Sequence, residues 1–282
     1  MKTICRQLCF LLLCLSVAVS AEAHSYDLNR QQVVTLDEII SDLAQVQTVF
    51  VGESHDQWAH HQAQLQIIQE LFAAGAEVHI GLEMFRRDGQ AELDRWVAGE
   101  LDEAEFSQIF SRHWGYWQLY RDIFIYARDN GIRLLGLNIK RDIVNQVARS
   151  GFSSLSAQQR AKLPLAACNV NPAYRSYIRR SLNGHPLDAT EFEHFCEAQI
   201  LWDASMARSL ADNLQQSPHA TVVVLAGSGH SWRYGIPEQL ARLGAFSSRV
   251  LLPEIPGQID LQRISEADAD YLLQGVEQAP LH

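Results

Sequence analysis

Glu53, His55, His60 and His61 crowd into the stretch FVGESHDQWAHH, where an apolar run breaks at Gly52 and a helical pattern begins. A carboxylate among imidazoles at such a junction can orient a histidine as general base, share a divalent cation, or merely cap a turn. The same chemistry recurs further along the chain. HIGLEMF ends in Glu83, LLGLNIKR in Asn138 and VVLAGSGH in His230, each behind an apolar run of its own. Taken together, Glu53, His55, Glu83 and His230 could be the first shell of a divalent metal with one position left for water, and so the catalytic set of a metal-dependent hydrolase. Without a metal, a histidine could act as base with a glutamate orienting it. Asn138, and the Gln199 and Asp203 that interrupt an apolar helical stripe, would support the set.

These residues can meet only if the elements carrying them are arranged to bring them together. TVFVGE, VHIGLEM, IRLLGLNI, TVVVLAG and RVLLPEI have the short, continuous apolar character of strands covered on both faces. Helical patterns separate them, so the expected fold is α/β with a largely parallel central sheet flanked by helices. In such a sheet, ligands bind beyond the carboxyl ends of the strands, which is where the polar residues fall. The segments at about 88–130 and 142–216 exceed what a crossover needs and are expected to add helical insertions to a single domain over 24–282. The strongest helices are expected in NPAYRSYIRRSL and in DATEFEHFCEAQILWDASMARSLADNL. The spacing of Trp58, His61, Leu65, Ile68 and Phe72 places His61 on the inner stripe of an earlier one, as a core histidine.

HWGYWQLYRDIFIY concentrates aromatic rings, with Trp117, Tyr120 and Phe124 on one helical face and Tyr116 beside it. Core packing accounts for most of this. Haem would also use such a slot, with a Tyr or His as axial ligand and cations for its propionates; Arg86, Arg87, Lys140, Arg141 and Arg233 all follow strand ends closely.

The chain has 282 residues, 47% of them hydrophobic, with 23 Lys and Arg against 33 Asp and Glu and a formal charge of −10. That balance argues against a nucleic-acid surface or a polybasic membrane patch. Residues 1–23 have the layout of a signal peptide: Lys2 and Arg6, the run LCFLLLCLSVAVS, then small residues that allow cleavage after Ala21 or Ala23. The expected location is therefore the periplasm, with outer-membrane association as a variant; Cys14 follows three leucines where an acylated cysteine would want a small residue, which argues against lipidation. The mature chain keeps Cys168 and Cys196, as one disulfide or as two thiols.

VGESHDQWAHHQAQLQII, GLEMFRR, GLNIKRDIVNQVARSG, AQILWDASMA and LAGSGHSWRYGIP, in that order, resemble the ChaN-like haem-binding proteins, in a superfamily with the Tiki and TraB proteins and the erythromycin esterases. The resemblance implies haem as cofactor, ligation by a tyrosine, two haems paired in a homodimer, and a role in iron uptake, with an outer-membrane haem receptor as an expected partner. It also implies descent from a fold whose other members hydrolyse esters or peptides with a Glu/His cluster, and that cluster matches Glu53, His55, Glu83 and His230 here. No motif fixes the haem ligand, so Tyr116, Tyr120, Tyr174 and His61 all stand as candidates.

Overall fold

The five apolar runs become adjacent strands of one sheet, since a strand covered by helices on both faces must be apolar on both. The computed structural model describes residues 24–182 and 187–276; the expected signal peptide over 1–23, with Cys14, lies outside the described residues. The strands are β1 (His24–Asp27), β2 (Gln32–Val34), β3 (Thr48–Glu53), β4 (Val78–Arg86), β5 (Arg133–Asn138), β6 (Thr221–Gly227), β7 (Ser248–Pro253) and β8 (Tyr271–Gln274). Between them run helices α1 (Leu36–Leu43), α2 (Trp58–Ala73), α3 (Gln90–Val97), α4 (Glu103–Ser111) and α5 (Trp117–Asp129). The remainder are α6 (Arg141–Ser150), α7 (Ala157–Arg160), α8 (Pro172–Ser181), α9 (Ala189–Gln216), α10 (Ser228–Ser231) and α11 (Ile236–Ala241).

The strands form one eight-stranded sheet in the order β2-β1-β8-β7-β3-β6-β4-β5. All pairs from β8 to β5 are parallel, while β1 runs antiparallel to both β8 and β2. From β3 the chain steps outward to β4 and β5, then returns as β6 to fill the gap between β3 and β4. Strand ends far apart in sequence thereby become neighbours. Helices α2 to α5 cover one face of the sheet around Trp96, Phe106 and Phe124, and α9 and α11 cover the other around Met206 and Leu210. Trp117, Tyr120 and Phe124 of the aromatic stretch belong to the first of these cores.

Helix α9 opens with a capping box, the Asp188 side chain accepting from Glu191 N while Glu191 reaches back to the cap. Its first half packs with α6 and α8 in a third core around Phe192 and Tyr174, and its second half lies on the sheet. Asp203 falls between the two halves. Cys168 and Cys196 are bonded, with Cα atoms 5.4 Å apart, which ties the segment before α8 to α9.

Two expectations need correction. The sequence announced five strands; β1, β2 and β8 have only three or four residues each, too short for the apolar runs that mark the others. The inner face of α2 is also rotated from the expected stripe. Trp58 and Phe72 are exposed, whereas His60, His61, Gln64, Ile67, Ile68 and Leu71 are buried, because two polar side chains, His60 and Gln64, find backbone partners there.

Candidate active site at the strand ends

Glu53, the last residue of β3, is wholly buried, and its carboxylate is gripped from three sides. His55 Nδ1 lies 2.7 Å from Oε1, and the buried Tyr120 hydroxyl donates to the same oxygen. His61 Nδ1 stands 3.2 Å from the other carboxylate oxygen, Oε2. Burial alone would raise the Glu53 pKa, yet the His55 hydrogen bond and the His61 and His55 charges outweigh it and hold the carboxyl far below its ordinary range. In return, and against their own burial, His55 and His61 are shifted upward. His61 Nε2 reaches the carbonyl of His55 at 3.2 Å, which fixes the loop that carries His55. His60 does something different. Its Nδ1 accepts from Ser54 N at 2.9 Å, and burial lowers its pKa to about 4, so it is a neutral clasp on the same loop.

Two strands away, Glu83 sits within a bulge of β4. Leu82 pairs with Gly136 and Arg86 with Asn138, so β4 carries extra residues between these pairs. Asn138 holds the bulge, its Nδ2 donating to Glu83 O at 2.8 Å. Gly136 is required at this point, since a Cβ there would stand 2.4 Å from Arg86 O. Glu83 Oε2 accepts from Gly227 N at 2.7 Å, and Oε1 lies 3.7 Å from His230 Nε2. His230, on the short α10 after β6, places Nδ1 2.6 Å from Asp203 Oδ1, while the Tyr174 hydroxyl donates to the other Asp203 oxygen at 2.6 Å. Burial works against the His230 cation, but the Glu83 and Asp203 charges and the Asp203 hydrogen bond raise its pKa to about 9. For Asp203 the balance falls the other way: burial outweighs the imidazolium and draws its pKa upward.

The strand ends therefore carry two carboxylate–imidazole pairs, Glu53–His55 and Asp203–His230, on the partition between two cavities. One cavity, of about 250 Å³, is lined by Tyr177, Gln199 and Ile259 beside the two histidines. The other, of about 280 Å³, has His55, Glu83 and His230 within it and Trp114 and Trp202 in its walls. Trp114 meets the His55 ring edge-on at 5.0 Å and Trp202 meets His230 at 5.8 Å. Gly227 permits this closeness, because a Cβ there would lie 3.0 Å from His55 Cε1.

Glu53, His55, Glu83 and His230 thus gather at one place, with Asn138, Gln199 and Asp203 around them. The expected metal shell is a different matter. Among the described residues no three His, Cys, Asp or Glu side chains converge as ligands. Glu53 is turned to His55, His61 and Tyr120, Glu83 to Gly227 N, and His230 Nδ1 to Asp203, so the donors are already engaged. The tyrosine candidates divide sharply. Tyr120 and Tyr174 are buried with their hydroxyls bonded to carboxylates, and burial followed by those carboxylates pushes both phenols up. His61 is buried with both ring nitrogens occupied by neighbours. Tyr116 is 57% exposed, at the start of α5. Two contributors had no signal in the sequence: Gln64, whose Nε2 donates to Val51 O, and Trp202, which reads as one more apolar position of α9.

The family model described as haem-binding uptake, Tiki superfamily, ChaN matches residues 39–240. The chain belongs to this ChaN family of haem-binding proteins. Its fold is similar to that of Campylobacter jejuni ChaN, solved with haem bound cofacially, at a TM-score of 0.72 and 21% identity over 90% of this chain and 97% of that one. It is similar also to the type III effector HopBA1, at a TM-score of 0.50 and 13% identity over 84% of this chain and 91% of the effector. Among curated proteins it is 24% identical over 230 residues to RETICULATA-RELATED 5, a chloroplastic protein of Arabidopsis thaliana, covering 74% of this chain but only 31% of that protein. The family match takes in the α2 to α5 layer and every lining residue of the 280 Å³ cavity. No helix among the described residues is long and apolar enough to cross a membrane.

Proposed function

We propose that this protein is an exported haem carrier serving iron acquisition, and that Tyr116 ligates the haem iron. The observation that carries the reading is the state of Tyr116. Its backbone is left-handed, with φ 61° and ψ 36°, a conformation that costs a bulky residue about 1–3 kcal/mol and persists where the surroundings demand it. Its phenol is exposed, while the other two candidate phenols are buried and bonded to carboxylates.

Neither cavity at the strand ends reaches the roughly 300–1,000 Å³ of sites that enclose drug-sized ligands, so the macrocycle lies on the surface beside Trp114 and not inside. Bound haem supplies the iron; the chain supplies the phenolate, the indole and the arginines near it. Haem held on one face leaves the other in water, at about 25 cal/mol per Å² of apolar surface. A two-fold partner presenting its own haem covers both, which supports a homodimer that forms with the ligand. An outer-membrane haem receptor is the partner consistent with such a carrier, and export rests on the 1–23 segment.

Haemin titrated into the mature protein tests this reading. A saturable Soret change in the wild type, Tyr120→Phe and Tyr174→Phe, lost or shifted in Tyr116→Phe, is expected. An unchanged spectrum in Tyr116→Phe refutes the ligand assignment. Sedimentation with and without haem tests the dimer, and equal masses refute it.

The paired imidazoles favour a second reading, metal-free acid–base hydrolysis of an ester or amide. His55 Nε2 has no hydrogen-bond partner among the described residues and is positioned to take a proton from water. The His230 imidazolium is positioned to give one to the leaving oxygen or nitrogen. Turnover of simple nitrophenyl esters that vanishes in His55→Ala and His230→Ala tests it; turnover that survives both rules it out.

A further inference from the structure

On a chain of net charge −10, one cavity stands out by its cations. Arg86, Arg112 and Arg141 all line the 280 Å³ cavity that holds His55 and His230. They are unequally engaged. Arg86 Nε is bonded to Asp88 at 2.8 Å, whereas Arg112 reaches Glu92 only at 3.9 Å, and Arg141 has neither a hydrogen bond nor an ion pair among the described residues. Glu83 is the one carboxylate among the lining residues, and both of its oxygens face groups of the site itself. The indoles of Trp114 and Trp202, each against one of the imidazoles, add flat apolar surface to the same lining. His113, also in the lining, has its pKa lowered first by burial and then by the Arg86 and Arg112 charges, which fits a positive local field.

We propose that this cavity is a carboxylate-recognition site, in which Arg112 and Arg141 hold the carboxylate and the two indoles hold the apolar body attached to it. A guanidinium fork matches a carboxylate with two parallel hydrogen bonds, and it does so without the strong hydration that an ammonium must shed. A single charge suits the site better than a dianion, because Glu83 already places a negative charge in the cavity. The carboxylate has two sources. It is either that of a small free acid, whose body then lies against His55 and His230, or a propionate of haem seated over Tyr116, two residues from Trp114. The second source rests on the haem reading; the first does not.

Calorimetry on the mature protein separates the sources. Benzoate, benzamide and inorganic phosphate are titrated into wild type and into R112Q/R141Q, both of whose changed side chains are exposed, so that the fold is kept; equal urea midpoints check this. In parallel, haemin and its dimethyl ester are titrated and followed at the Soret band. Saturable benzoate binding that benzamide lacks and the variant weakens at least about tenfold assigns a free acid. A comparable loss for the dimethyl ester in wild type, absent in the variant, assigns the propionate. If benzoate and benzamide behave alike and the dimethyl ester matches haemin, the proposal is overturned, as it is if phosphate binds more tightly than benzoate. No haem binding at all would end the haem reading, and the benzoate titration alone would then decide the site.

Discussion

Replacing Asp203 by Asn removes one of the two charges that hold the His230 proton while keeping the size of the side chain and an acceptor for the Tyr174 hydroxyl. The imidazole rises from 6.5 to about 9, and each tenfold gain in proton affinity is worth about 1.4 kcal/mol, so His230 contributes about 3 kcal/mol of pH-dependent stability. The sign follows from the direction. A folded-state pKa above the unfolded value gives stability that is fully present below about pH 6.5 and lost as pH rises through about 9. The upward shift of Asp203 offsets part of the gain, but it starts from 3.8 and belongs to the acid side. His55 and His61 are also shifted up and add to the same alkaline loss, so the variant must be compared with wild type. In D203N only Glu83 remains to oppose burial, and the His230 pKa should fall by at least about one pH unit. Imidazole proton resonances followed from pH 5 to 10, with urea midpoints at pH 6.5 and 9.5, measure both effects. A His230 that titrates at or below 6.5 in wild type, or an alkaline loss of stability identical in D203N, refutes the reasoning.

Three further outcomes are expected. Replacing Cys168 and Cys196 by Ser opens a loop with a sequence separation of 28, for which chain entropy gives about 3–4 kcal/mol of lost stability; urea midpoints should show it, and reductant should then have no further effect. Gly136→Ala drives a methyl into the Arg86 carbonyl and should cost about 2–3 kcal/mol, read by thermal unfolding, with disturbance of Glu83 across the same bulge. His60 should remain neutral down to about pH 5 in an NMR titration, and His60→Ala should cost about 1–2 kcal/mol by leaving Ser54 N without its acceptor.

The central strands and the site they carry were legible for one reason. A strand covered on both faces must be apolar throughout, so the abrupt appearance of Glu53, Glu83, Asn138 and His230 at the ends of four such runs had no packing explanation. Asp203 and Gln199 were visible in the same way, as polar breaks in the stripe of α9. What could not be read was the pairing: no spacing tells that Asp203 belongs to His230 or that Tyr120 belongs to Glu53, because those partners come together only through the sheet order. The α2 stripe misled because apolar periodicity ignores a buried polar side chain that has a backbone partner. No motif in the sequence chose among the three tyrosines; exposure, backbone conformation and, among the described residues, the lack of a carboxylate partner separate Tyr116 from the other two. β1, β2 and β8, which build one edge of the sheet, were invisible because strands this short depend on their neighbours more than on their own residues.

That edge also bears on the order in which the molecule is completed. β1 has only β2 and β8 to pair with, and His24 meets Gln274 at almost the full length of the described chain. A two-stranded hairpin is marginal alone in water, so β1 and β2 must wait until the last strand has docked on β7. Until then β7 presents an unpaired parallel edge, open to association with other chains. Contacts this distant in sequence close slowly, which makes the β1–β8 seam the late step of folding and the weak point against aggregation. Hydrogen exchange should find the β1 and β8 amides opening together and well before those of β3 and β6.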